Sequence, residues 1–319
     1  MKVSINIVTY NAEKYIRECL GSVKKQTHTD IDILVIDNGS QDKTLEKIKG
    51  IKVIKNKENL GFSKGHNIGI KESKGEYVLC LNQDAVLDKD FIKNCLKIDA
   101  GAVQGKVYKI NDIRKRKKDI IDTTGLVMLK NRRVISRGQG REDIFNKQEE
   151  IFGADGSVPF YSKKALEDIK IEDEYFDEDF FAYKEDIDLS WRLRLYGWKI
   201  VYQPKAIAYH LRGAGDSEVR SAKGIIKQRR KISKFAKFHS FKNQRLMQIK
   251  NELKGLFFRD ILYIIIREIG AWAYVVFFEA YTWKAIKELF KLAPNAFRKR
   301  KIIMENKKLN NRQMSKWFK

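Results

Sequence analysis

At 319 residues, with 43% hydrophobic and 11% aromatic side chains, the chain can bury a sizeable core, which excludes a disordered or disulfide-stapled miniature. Its 65 Lys and Arg against 41 Asp and Glu leave a formal charge of +24, which predicts an anionic partner. The excess is uneven, because residues 1–215 carry 39 basic and 33 acidic side chains whereas residues 216–319 carry 26 and 8.

The first hundred residues alternate strand and helix patterns. Residues 3–9 are apolar and β-branched; residues 12–25 place Tyr15, Ile16, Cys19, Leu20 and Val23 at helical spacing; residues 31–36 form a second apolar run. Residues 43–48 then read as a helix, 52–54 as a short strand, 64–73 as a helix and 77–81 as a strand. Buried strands separated by helices predict βαβ units in a parallel sheet. Cys19, Cys80 and Cys95 are odd in number and lack metal-ligand spacing, so they read as reduced core residues of an intracellular chain. The opening MKVSINIVTYN is too short and polar for a signal peptide, and a cytoplasmic chain is expected.

Open α/β sheets bind ligands at their strand ends. Three ends here are polar: Thr9, Tyr10 and Asn11; Asp37, Asn38, Gly39 and Ser40; Asn82, Gln83 and Asp84. Turn formation explains any one of them, but three at one edge point to a site. Asn82 and Asp84 form an N-x-D pair suited to a hard cation shared with a diphosphate. The glycines of NLGFSKGHNIGI miss the GxGxxG spacing and do not follow the first strand, which excludes a dinucleotide-binding dehydrogenase. A loop with Asn59, Gly61, Gly65 and Asn67 can instead bring main chain close to a flat ligand.

The RKRKK run at 114–118, followed by Arg132, Arg133, Arg137 and Arg141, reads as solvated loops or an exposed hairpin. Order returns after residue 155, with strands at 200–203 and 207–209. Between them, FFAYKEDIDLSWRLRLYGW at 180–198 crowds Glu185, Asp186 and Asp188 against Leu189, Trp191, Leu193 and Leu195. A helix N-terminus accommodates one or two carboxylates. Three among Phe180, Phe181, Tyr183 and Trp191 allow one to be held partly desolvated as a base. His210, after AIAY, reads as a structural residue or a ligand.

Beyond residue 215 the pattern is long basic helices. KQRRKISKFAKF at 227–238 and FRKRKII at 297–303 bracket an aromatic run that Arg259, Asp260, Arg267, Glu268 and Glu279 interrupt. An in-plane amphipathic helix on an anionic membrane surface is expected in place of a membrane span. The same helices can also cap the preceding domain. No nucleic-acid module is present, so nucleic acid is not expected as the partner.

The motifs together resemble the inverting glycosyltransferases of family 2. The resemblance covers residues 3–215 and runs in the family's order: VTYN (8–11), VIDNGSQD (35–42), NLGFSKGHNIGI (59–70), GEYVLCLNQD (75–84), FGADGSVPFYSKKAL (152–166), FDEDFFAYKEDIDLSWRLRLYGW (176–198) and YH (209–210). It implies a GT-A fold, a Rossmann-like mixed sheet, as a catalytic domain over 1–215 with a basic helical extension over 216–319. It implies Asp37 at the nucleobase beside Thr9, Tyr10 and Asn11, with Asn38, Asn59, Gly65, Asn67, Asn82 and Gln83 completing the nucleotide-sugar pocket. Asp84 becomes the metal-binding carboxylate, with His210 a second ligand and Mn2+ or Mg2+ the cofactor. Asp186 becomes the general base, which Glu185 orients or merely accompanies as a cap. Trp191 and Asp155 lie near the acceptor, and Asp188 is structural.

Asn82 stands where the family has the first Asp of DxD, a variant similar to the rhamnosyltransferase branch. Lys163 and Lys164 replace an Arg pair, which makes a phosphate contact there a point charge. The expected activity is transfer of a sugar, dTDP-rhamnose being the first choice of donor, to a lipid-linked or polysaccharide acceptor at the inner face of the cell membrane. Another UDP-sugar such as galactofuranose or glucose, a nucleotidylyltransferase, and a non-catalytic nucleic-acid- or membrane-binding protein of the same fold are the alternatives.

Overall fold

The computed structural model describes residues 1–211 and 221–319, so the domain boundary expected at residue 215 lies outside the described residues. Strands Val3–Thr9 (β1), Ile31–Asp37 (β2), Lys52–Lys55 (β3) and Tyr77–Asn82 (β4) pair in parallel in the order β4-β1-β2-β3. Helices Ile16–Lys24 (α1) and Gly61–Glu72 (α2) connect them. Parallel strands covered on both faces are mainly apolar, and β1 and β4 are buried over nearly their whole length, with Asn6 and Ser4 of β1 bonded to Ser73 Oγ and the Gly75 N–H. The helix expected at residues 43–48 is only a 3-10 turn, Leu45–Lys47.

The sheet continues past β4 through Ala85–Leu87 (β5), Ala102–Lys109 (β6), Ile121–Thr123 (β7), Glu149–Glu150, Phe160–Ser162 and Ile200–His210. Phe160–Ser162 runs antiparallel to both β4 and β6, which makes the sheet mixed. Residues 200–203 and 207–209 are one strand, kinked by an irregularity between Gln203 and Ile207. Residues 101–150 correct the expectation of solvated loops or an exposed hairpin in part: a hairpin is present, but it is buried. β6 lies inside the sheet, and the hairpin Leu126–Met128 with Val134–Ser136 is largely buried. The polar residues of β6 interrupt its apolar pattern and are tolerated because they have partners: Lys106 pairs with Asp143 at 2.7 Å, and Gln104 accepts from the Asp155 N–H at 2.7 Å. The 114–118 run and Arg141 are exposed as expected, as are residues 146–150, whereas Arg132 is buried and Arg133 and Arg137 are partly so.

Helices Phe91–Cys95 (α3), Lys163–Asp168 (α4) and Glu185–Leu195 (α5) complete this part, and Ala222–Lys231 (α6), Lys234–Asn251 (α7), Lys254–Arg259 (α8), Ile261–Phe278 (α9), Trp283–Asn306 (α10) and Asn311–Ser315 (α11) follow. These helices share the central core. Leu246, Met247, Leu289, Ile303 and Phe318 pack in one cluster with Trp191 and Phe176. Part of their charge faces inward, so the helices cap the preceding domain, as the sequence also allowed. Lys250 is fully buried between Asp177 and Asp188, the latter at 2.9 Å, and Lys299 reaches Asp177 at 2.6 Å and Glu174 at 2.8 Å. Burial opposes the Asp177 charge, but Lys250 and Lys299 outweigh it and hold that carboxyl below its usual range. Arg132, at the tip of the buried hairpin, is likewise closed off by Glu252 (2.6 Å) and Asp260 (2.7 Å).

α9 is long and apolar enough to cross a membrane by length and composition, at 18 residues and a mean hydropathy of 1.8. Only Ile264 and Val275 are buried in it. Its Arg267 and Glu268 pair with each other, and Glu268 also takes Arg245 of α7 at 2.7 Å, which fixes the middle of α9 along the protein.

Candidate active site at the strand ends

Parallel register brings the polar ends together. Thr9 stands beside Asp37, and Val8 beside Asn82. Asp37 is buried and accepts from Thr9 Oγ1 (3.0 Å), the Ser40 N–H (3.0 Å) and Ser40 Oγ (2.6 Å). The Tyr10 N–H donates to Gln83 Oε1 at 2.8 Å, which locks the first strand end to the fourth and leaves the Tyr10 ring exposed. Asn11 turns the chain at φ +50° and accepts from the Gln41 N–H at 2.8 Å. Asn59 accepts from the Gly61 N–H at 2.9 Å at the start of α2.

Three residues expected in the nucleotide pocket have other work. Asn38 is buried, donates to the Gly61 carbonyl (3.0 Å) and accepts from Asn56 (2.8 Å). Asn67 donates to the Phe176 carbonyl and accepts its N–H, both at 2.8 Å, so it clasps α2 to the segment before α5. Gly65 lets α2 lie against β1, since a Cβ there would sit 2.8 Å from Val8 Cγ1. They shape the site through packing; their polar groups are already engaged.

Beside Asn82, the last residue of the long strand faces the fourth strand end. His210 Nε2 lies 3.3 Å from Asp84 Oδ1, and its Nδ1 lies 2.9 Å from Asp122 Oδ2. Burial disfavours an imidazolium, but the bonds to Asp122 and Asp84 prevail and raise His210 to about 10. A carboxylate behind a histidine whose other nitrogen meets a second carboxylate is the arrangement that orients a metal ligand. Asp84 and His210, the latter once its Nε2 proton is displaced, thus fit two positions of a divalent cation, while no group of three or more His, Cys, Asp or Glu side chains placed to hold a metal ion occurs among the described residues. Asp122 was not visible in the sequence, being 38 residues from Asp84 and in a strand of three.

The candidate base sits at the first turn of α5. Asp186 Oδ2 accepts from the Gly156 N–H (2.9 Å) and Oδ1 from the Ile187 N–H (2.8 Å), so both oxygens are fixed. The loop supplying Gly156 adjoins the fourth strand end, because the Asn82 N–H donates to the Ser157 carbonyl at 3.0 Å. Burial first, then the nearby Asp155 carboxylate, raises Asp186 to about 6 against the pull of these two N–H groups. Burial, then the neighbouring Asp186 carboxylate, push Glu185 well above its usual range. Burial and Arg267 lower Lys184 to about 8.

The segment entering α5 is strained, with Phe181 at φ +63°, Tyr183 at +70° and Lys184 at +73°. Its carbonyls are held from two sides. The Ser63 N–H donates to Phe181 O at 3.1 Å, and the Asn243 amide of α7 donates to Phe180 (2.9 Å), Ala182 (2.9 Å) and Tyr183 (2.7 Å). Gly61 permits this approach, since a Cβ there would meet Phe181 O at 2.6 Å.

Trp191 corrects the expected acceptor contact. It is fully buried against Phe152 and Phe318, because its helical position points it into the core. Lys163 donates to the Ile70 (2.5 Å) and Ser73 (3.3 Å) carbonyls at the end of α2, so it caps a helix in place of contacting phosphate. Asp155 is buried beside Asp186, with its Oδ1 accepting from the Ser157 N–H at 3.1 Å. Asp188 receives Lys250 and Asn251 (2.7 Å).

The family model for glycosyl transferase family 2 matches residues 4–170, just over half of the chain. The chain belongs to that family. Similar curated proteins are the poly-beta-1,6-N-acetyl-D-glucosamine synthases of Staphylococcus epidermidis, 28% identical over 225 residues, and of Staphylococcus aureus, 30% identical over 224. Each match covers 66% of this chain and 50% of the relative, so the chain spans about half the length of the curated relatives it matches. Among solved structures, residues 1–349 of S. aureus TarS superimpose with a TM-score of 0.56 at 19% identity, covering 96% of this chain and 89% of that one. GalNAc-T7, solved with UDP, GalNAc and Mn2+, gives 0.57 at 14% identity, covering 78% and 48%. The fold is accordingly GT-A-like, a mixed α/β sheet followed by C-terminal helices.

Proposed function

We propose that the chain is an inverting glycosyltransferase that moves a sugar from a UDP-sugar to a hydroxyl of a polysaccharide or lipid-linked acceptor, as a peripheral protein on the inner membrane face. The observation that carries this is Asp186, fixed through both oxygens, raised to about 6, and set beside the edge that bears Asp37 and Asp84. A base near neutrality balances availability against driving force. As the acceptor oxygen forms its bond to the anomeric carbon, its proton passes to Asp186 and the carbon–diphosphate bond breaks. Attack and departure on opposite faces invert the centre. Asp37, braced by Thr9 and Ser40, takes the nucleobase, and Tyr10 and Asn11 bound that pocket. Asp84 and His210 would hold Mn2+ or Mg2+, which would supply stabilisation of the negative charge on the leaving diphosphate.

A UDP-sugar is preferred because the similar synthases are named for N-acetylglucosamine polymers and TarS has been solved with UDP-GlcNAc. Asn82 favours dTDP-rhamnose as the second reading. A thermal-shift panel of UDP, dTDP and GDP sugars, with and without Mn2+, separates them, since a ligand of the folded state raises its stability. A shift with UDP-sugars alone supports the reading; no shift with any sugar nucleotide overturns it.

A further inference from the structure

Between the start of α8, the C-terminal half of α10 and the approach to α11 lies a cleft of about 510 Å³. Its wall carries four cations, Lys254, Arg300, Lys301 and Lys307, beside the apolar Phe297 and Met304. The lysines contrast with Lys250 and Lys299, which are spent on buried carboxylates. Lys254, Lys301 and Lys307 are exposed, and among the described residues none has a carboxylate within ion-pair distance. Arg300 donates to the Ile249 carbonyl at 2.8 Å, which holds its guanidinium at the cleft.

The apolar surroundings say what such a cleft is for. Trp283, Phe290 and Phe297 recur every seven residues along α10 and are 53%, 68% and 58% exposed, so they form one stripe that ends in the cleft wall. α8 leads from the opposite wall into α9, where Leu262 and Ile266, each 72% exposed, lie one turn apart. An uncovered apolar stripe running into a cluster of uncompensated cations matches a surface with hydrocarbon below and phosphate above.

We propose that the cleft is a socket for the phosphate head group of an anionic phospholipid, with the α10 stripe and the exposed face of α9 lying in the bilayer interface around it. Lys254, Lys301, Lys307 and Arg300 surround the phosphodiester, while Phe297 and Met304 meet the start of the acyl chains. The socket adjoins the catalytic framework, since Arg300 bonds the residue before Lys250, and Lys250 anchors α5 through Asp188. The inference rests on the proposed membrane-surface transferase and names the lipid chemistry it recognises.

The test is flotation of the full chain with phosphatidylcholine vesicles, with and without one fifth phosphatidylglycerol, alongside calorimetric titration with inorganic phosphate. The triple variant Lys254→Ala/Lys301→Ala/Lys307→Ala is compared with a charge-matched control, Lys115→Ala/Lys117→Ala/Lys118→Ala, in the exposed basic run. Each lysine near an anionic surface contributes about fivefold to partitioning, so the socket variant should lose on the order of 100-fold and the control far less. Equal losses in both variants, or wild-type binding indifferent to phosphatidylglycerol, overturn the socket. Binding of free phosphate that the socket variant abolishes, without any lipid dependence, also overturns it in favour of a soluble-anion site. No sugar nucleotide enters the assay, so a wild-type chain that responds to UDP-sugars yet ignores anionic lipid sinks the socket and leaves the transferase reading intact.

Discussion

Replacing Asp186 by Asn tests the base through two independent readings. A general base contributes about 10²- to 10⁴-fold, so turnover should fall by that factor. With the carboxyl raised to about 6, it is about 90% ionised at pH 7, and wild-type kcat/KM should drop tenfold per unit below pH 6. The variant's residual activity should lack that limb. Stability supplies the second reading. The folded chain holds the Asp186 proton more tightly than the unfolded chain, whose carboxyl sits near 3.8. The group's stabilising contribution is therefore complete below pH 3.8 and lost as pH rises through about 6. The two-unit shift corresponds to about 3 kcal/mol at most, and residual solvent contact lowers it to about 1–3 kcal/mol. Asn cannot accept from both Gly156 and Ile187, which adds a roughly constant cost of about 1 kcal/mol. The stability of the variant relative to wild type should thus improve between pH 4 and pH 7 by about 1–3 kcal/mol in urea titrations. A pH-independent difference, or turnover within threefold of wild type, refutes the assignment.

Asp122→Asn should weaken Mn2+ activation about 10- to 100-fold by releasing the orientation of His210, read as the half-saturating metal concentration at constant donor. Lys250→Met leaves Asp177 and Asp188 short of a buried cation and should cost about 3–5 kcal/mol in chemical denaturation; a loss below 1 kcal/mol would show that the pair is incidental. Trp191→Phe should leave the acceptor KM within twofold, whereas Trp191→Ala should cost about 3–5 kcal/mol of stability. Asn243→Ala should lower kcat by up to about 100-fold while the donor KM stays within twofold, because the base moves and the nucleotide pocket does not.

The parallel half was legible because each strand is a short, mainly apolar and β-branched run, and α1 carries a clear apolar stripe. The strand-end polar residues were legible for the same reason, since a buried run that stops at Thr9, Asp37 or Asn82 marks the edge of the sheet. The middle was not, because β6 carries Gln104 and Lys106 in buried positions and only long-range partners, Asp155 and Asp143, make that tolerable. Asp122 escaped for a similar reason, as its meaning depends wholly on His210, 88 residues away. Both a surface and a capping role were readable for the tail, but not which lysine serves which; nothing local distinguishes Lys250, buried between two carboxylates, from Lys254, exposed in a cleft.

That division of the tail bears on how the base is held. Positive-φ backbone at Phe181, Tyr183 and Lys184 costs of order 1–3 kcal/mol at each residue and persists only where the surroundings over-determine it. The surroundings here come largely from α7: Asn243 takes three carbonyls, and His239 stacks on Phe181 with ring centroids 5.3 Å apart. A sheet with its strand-end residues can therefore form the nucleotide edge alone, but the conformation that aims Asp186 requires the C-terminal helices. The inward lysines of α7 and α10 neutralise Asp177 and Asp188 on the flanks of the same segment. The helices that present cations and aromatic residues outward are thus the ones that hold the segment carrying the proposed base, so under that proposal a surface the tail docks on is tied to the geometry of transfer.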